Sequence, residues 1–144
     1  MIRFVPTTMD YIERFEPQAY QKQGWKDSVA FITEDLLEST RTLVAEDYPV
    51  AVLGAVHRWE KYWQGWTVYS QKMIDEPTTY VRPMKRAIAS LFEEIGMDRL
   101  EITTPCDHYQ ASKLAEFLGF KHEGRVRKYG RDGMDHHLYA KVRE

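Results

Sequence analysis

Cys106 and His108 stand two residues apart, just before an amphipathic stretch that opens at Tyr109. A thiol beside an imidazole is the raw material of a cysteine nucleophile. Residues two apart at a helix entrance rarely meet as an activated pair, however, and no orienting third group accompanies these two. Asp135, His136 and His137 offer metal-ligand chemistry. Neighbouring strand residues point to opposite faces, so His136 and His137 do not easily share one ion, and no metal centre is expected. The run KHEGRVRKYGR, residues 121–131, mixes basic residues with a tyrosine and reads as a solvated hairpin. His57 closes an apolar run, and an imidazole, which outside a fold titrates at about 6.5, is a side chain suited to proton transfer near neutral pH.

The composition narrows the classes. A chain of 144 residues suggests one domain over 1–144, with mass enough for a core. An apolar share of 43% beside 29% charged residues is ordinary for a globular protein. The net charge of −2, with signs interleaved, argues against a constitutive nucleic-acid binder. The single cysteine allows no internal disulfide, and a cytoplasmic location is expected. No leader is read at the N-terminus, and no apolar run approaches the roughly 20 residues that span a bilayer, so no membrane partner is expected.

Hydrophobic spacing then places the elements. Ile2, Phe4 and Pro6 predict a first strand, and Thr7 or Thr8 caps a helix with Tyr11, Ile12 and Phe15 on one face. Asp27 or Ser28 caps a second helix with Val29, Ile32 and Leu36 as its stripe. Thr42–Ala45, Val50–His57 and Trp66–Ser70 read as a three-strand meander, with Asp47-Tyr48-Pro49 as a turn and Trp59–Gly65 as a connection. The middle strand, VAVLGAVH, is apolar or small on both faces and so reads as covered by helices on both sides. Thr79–Ile95 is the clearest helix, with Val81, Met84, Ile88, Leu91, Phe92 and Ile95 in a stripe. Leu100–Thr104 follows that helical crossover and is expected to run parallel to its neighbour. Ala111, Leu114, Ala115 and Leu118 stripe a last helix, which Gly119 ends. A hairpin turning at Gly130-Arg131-Asp132-Gly133 closes the chain. The predicted order is β-α-α-β-β-β-α-β-α-β-β, an α/β fold with a mixed central sheet and helices on both faces.

A helix ending in LGF (Leu118 to Phe120), an EGR strand (Glu123 to Arg125) and a Gly-turned hairpin ending in LYA (Leu138 to Ala140) resemble the C-terminal half of the GNAT superfamily of acyl-CoA N-acyltransferases. The predicted element order is also that of the GNAT fold, over essentially the whole chain. The resemblance implies an N-acetyltransferase that moves an acetyl group from acetyl-CoA, as co-substrate, to an amine-bearing acceptor. A homodimer is compatible with it.

The resemblance also implies roles by position. The family binds the acyl-CoA pyrophosphate where the long central strands give way to a helix, through backbone N–H groups of a glycine-rich loop. The matching stretch here is Ser70 to Pro83, which has no glycine and carries Asp75 and Glu76. Gln71, Lys72, Thr78, Thr79 and Arg82 are its candidate donor contacts, with Lys85 and Arg86 further along the helix. Val68 and Tyr69 are placed to give a backbone N–H to the acetyl oxygen. His57 and Glu101 are the candidate general bases, each with a rim residue at a strand end as its plainer reading. Aligned on LGF, the asparagine that many members carry at the start of the last helix falls on His108, and their proton-donating tyrosine falls on Ala115. The missing glycines and Ala115 also fit an alternative: a GNAT-like binding or assembly protein that has lost the chemistry, as among short bacteriophage members.

Overall fold

The computed structural model describes residues 1–29 and 31–144. Seven strands form one sheet in the order β1-β2-β3-β4-β5-β7-β6. The strands are β1 (Ile2–Pro6), β2 (Thr40–Ala45), β3 (Tyr48–Trp59), β4 (Tyr62–Tyr69), β5 (Arg99–Pro105), β6 (Lys121–Val126) and β7 (His136–Val142). The helices are α1 (Met9–Arg14), α2 (Lys22–Val29), α3 (Glu34–Leu37), α4 (Gln71–Asp75), α5 (Pro77–Ile95) and α6 (Tyr109–Phe117), with a 3-10 turn at Ala19–Gln21. Pairing is antiparallel for β1–β2, β2–β3, β5–β7 and β6–β7. Strands β4 and β5 run parallel, as a helical crossover between them requires. The fold is therefore α/β with a mixed sheet, and the expected order holds with three short helical pieces added.

The chain divides into two compact units, Met1–Ala55 with Trp66–Met84, and Val56–Gly65 with Lys85–Glu144. The core of the first unit gathers Ile12, Phe15, Trp25 and Val52, with Val29, Ile32, Leu37, Trp66 and Val68 packed against them. Phe15 and Trp25 meet edge to face at 5.3 Å. The Thr8 hydroxyl caps α1 by accepting from the Tyr11 N–H. Along β3, Pro49 to Ala55 are all buried, as expected of a strand covered on both faces. In the second unit β5 alternates buried Leu100, Ile102 and Thr104 with half-buried residues. The left-handed Gly119 (φ 97°) ends the α6 segment, where a side chain would be strained.

Several boundaries differ from the sequence reading, each for a local reason. The second helix starts earlier and breaks, because Thr33 takes an extended N-cap conformation and opens α3. Leu37 then packs on the core, while Leu36 is exposed. The β2–β3 turn falls on Glu46 and Asp47 (φ 49° and 64°), and Tyr48 already belongs to β3. The expected connection Trp59–Gly65 is mostly strand: β3 and β4 run on to a tight turn at Glu60 (φ 47°). Aromatic residues at 59, 62 and 63 favour that extension. No helix among the described residues is long and apolar enough to cross a membrane.

Candidate functional site

Val68, Tyr69, Gln71, Lys72, Thr78, Thr79 and Arg82 fall in the first unit, Lys85 and Arg86 in the second, and the segment that follows β4 is helical. The Ser70 hydroxyl accepts from the Met73 N–H (3.4 Å) and starts α4. Ile74 N–H donates to the Ser70 carbonyl and Glu76 N–H to that of Lys72, and Thr79 N–H donates to the Glu76 carbonyl at 3.1 Å. Without glycine, the backbone here satisfies its own N–H groups by winding into a helix. The side chains are engaged too. Gln71 donates to Asp75 (2.9 Å), and Lys72 pairs with Glu76 at 3.4 Å. The Lys72 ammonium is held above the ordinary lysine value by Tyr80 first and by Glu76 second. Thr78, Thr79 and Arg82 remain exposed at the start of α5.

The end of β4 beyond its pairing with β5 has an occupant that left no local signal in the sequence. Ser70 N–H donates across to Val50 of β3, so the N–H and C=O of Tyr69 point the other way. There the Gln21 carboxamide pairs like a neighbouring strand. Its Nε2 donates to the Thr67 carbonyl and its Oε1 accepts from the Tyr69 N–H, both at 2.9 Å. Gln18, nine-tenths buried, completes the cover: its backbone N–H donates to the Tyr69 carbonyl (2.7 Å) and its Nε2 to Gln21 Oε1 (3.0 Å). The N–H expected to meet an acetyl oxygen is thus held by a side chain 48 residues away in sequence. The Tyr69 phenol is buried, which pushes its pKa up to about 12, and it accepts from Thr67 Oγ1.

The acid–base candidates lie in the second unit. His57 Nε2 contacts the Glu60 carbonyl at 2.6 Å, which fixes that nitrogen as the protonated one. Its ring rests on Trp63. Glu101 is tied at both oxygens, one accepting from the Tyr62 hydroxyl and the other from Arg99 Nε and Nη2 (3.2 and 2.9 Å). Arg99 also grips Glu123 (2.7 Å), which holds that carboxyl below the usual range. Burial, and then the Glu101 contact, push Tyr62 up to about 12. This is an ion-pair network with no free carboxylate in it.

His108 is buried, unlike the other two. It occupies the N-cap position of α6 but makes no side-chain cap bond, and it is buried at 7% exposure. Burial lowers its pKa, against an opposing pull from Asp107, so the ring is neutral at pH 7. One α6 turn on, Ser112 Oγ lies 2.8 Å from Thr104 Oγ1 and hydrogen-bonds the buried Tyr139 hydroxyl. Ala115, on the same face, is 2% exposed. Cys106 is half-buried on β5's exit. His136 turns to Thr103 Oγ1 (3.1 Å), and burial lowers its pKa.

No protein-family model matches the chain, and no curated protein matches it. Solved structures do. The chain is similar to a GNAT-family acetyltransferase from Bacillus anthracis, with TM-score 0.75, 13% identity, and 98% of this chain and 94% of that one covered. It is similar to the microcin C7 self-immunity acetyltransferase MccE, solved with acetyl-CoA and AMP (TM-score 0.72, 16% identity, 99% and 92% covered). A chimera of the Vibrio cholerae spermidine N-acetyltransferase SpeG and hSSAT is similar too (TM-score 0.76, 10% identity, 98% and 95% covered). The likeness runs nearly end to end in each pair, and at these identities it is one of architecture: this chain has the GNAT fold.

Proposed function

We propose that the protein is an acyl-CoA-dependent N-acetyltransferase, with acetyl-CoA as donor and an amine as acceptor. The observation that carries this reading is the passage from β4 through α4 into α5 in a GNAT fold, with Arg82, Lys85 and Arg86 exposed on α5. Among the described residues none of the three is in an ion pair. Surplus cations on the first half of a helix suit a pyrophosphate. In the reaction the amine nitrogen attacks the thioester carbon. The C–N bond forms, the C–S bond breaks, and the thiolate leaves to take up a proton. Tyr69 N–H is the donor suited to the developing oxyanion, once Gln21 releases it. The acid–base candidates belong to the second unit, and of these His108 is kept neutral by burial, the state in which an imidazole takes up a proton. Glu101 is committed to Tyr62 and Arg99, and His57 can offer only its Nδ1.

A second reading is a GNAT-fold binding protein without the chemistry. The Gln21 cover over Tyr69, the helical α4 and Ala115 favour it. The test is incubation with acetyl-CoA and a panel of polyamines, amino acids and peptide N-termini, with CoA release followed by chromatography. Acceptor-dependent release that His108→Ala slows supports the enzyme. No release with any amine supports the binding protein.

A further inference from the structure

Strands β6 and β7 carry three histidines that acyl transfer leaves unused, and two of them meet. His122 of β6 stands opposite Tyr139 of β7. His137, two residues before Tyr139, shares that face. Such diagonal neighbours normally stand about 7–8 Å apart, within reach of long side chains. Here the register shifts between His122 and Gly124, and Gly124 sets no side chain beside them. His122 Nε2 therefore comes to 3.1 Å from His137 Nδ1, with ring centroids 5.0 Å apart and planes at 67°. Both rings lie edge-on to the buried Tyr139 ring, at 5.3 and 6.3 Å, which limits their motion. His122 is exposed and His137 half-buried, so solvent reaches the pair.

One of the two nitrogens donates a hydrogen bond to the other. The same separation suits two adjacent ligands of a single ion. With metal–nitrogen bonds of about 2.0–2.1 Å, a 3.1 Å separation subtends about 98° at the metal, between octahedral and tetrahedral angles. We infer that His122 and His137 form a two-nitrogen site for a divalent late first-row transition ion: copper, nickel or zinc. The adjacent His136 takes no part, because it faces away to Thr103. Among the described residues no third His, Cys, Asp or Glu completes a ligand group, so water fills the other positions and the ion exchanges readily. A bound ion takes the place of that hydrogen bond, its proton moving to the other nitrogen of the donor ring, and clips β6 to β7, its one neighbour in the sheet. The site stands apart from the acetyl-transfer reading and survives its failure.

The test is calorimetric titration of tag-free protein with Cu(II), Ni(II) and Zn(II), in a buffer that does not chelate. The expected result is one ion per chain, copper tightest. His122→Ala and His137→Ala should each weaken binding by more than the roughly 10-fold that loss of an outer-shell partner costs, while His57→Ala binds as the wild type. Each ion should raise the melting temperature of the wild type and not of the two variants, which melt normally without metal. Copper EPR should show two nitrogen ligands in the wild type. Binding that survives the double substitution, or its absence at millimolar ion, overturns the site.

Discussion

His108 has the most informative chemistry of the second unit, because burial sets its protonation. Its folded pKa lies below the ordinary value of the unfolded chain, so acid favours unfolding through this residue. The stability it contributes is complete above about pH 6.5 and is lost as the pH falls through the folded value. His136 acts in the same sense. His108→Asn, which keeps a polar group but cannot titrate, should give a shallower fall in melting temperature between pH 7 and pH 5. Thermal melts across that range decide it, and equal slopes for the two proteins would contradict the assignment. The sequence marked His108 through the LGF alignment, but only burial tells a neutral histidine from a surface cap. Glu101 shows the converse. Its place on a central strand was legible, while its partner Tyr62, and Glu123 that shares Arg99 with it, come from other strands and left no local trace.

The same division holds among elements. Helix stripes such as Met84, Ile88 and Leu91, and the glycine after α6, were legible because helical periodicity is local. The α4 turn was hidden because the family analogy implied an open loop where Ser70 caps a helix. The Gln21–β4 pairing was hidden because it spans 46 and 48 residues. That pairing predicts a trade. Gln21→Ala should destabilise the fold by about 1 kcal/mol, the worth of a lost hydrogen bond, and should tighten acetyl-CoA binding by freeing the Tyr69 N–H. Denaturant melts and calorimetry together check both halves; weaker binding would show that Gln21 does not compete with the donor. Close packing gives a further test. A Cβ on Gly54 would lie 2.2 Å from the Trp66 indole, so Gly54→Ala must push that ring aside. It should cost about 1–3 kcal/mol, read from the shift in the denaturation midpoint.

For the molecule as a whole, the order of strands and helices was readable from periodicity, and the likeness to solved GNAT acetyltransferases bears it out over 98% or more of the chain. Donor binding was not readable in the same way, because it depends on which N–H groups and cations the fold leaves available. Most of the backbone from Ser70 to Thr79 bonds to itself, and the cations of α5 do not. The claim that matters is therefore that those cations hold a CoA pyrophosphate. The direct measurement is isothermal titration of the wild type and Arg82→Ala with acetyl-CoA and with CoA. Binding in the micromolar range is predicted, weakened about tenfold by the substitution, as loss of one charge-assisted contact implies. No heat with either ligand at millimolar concentration, or equal affinity in the two proteins, would contradict it.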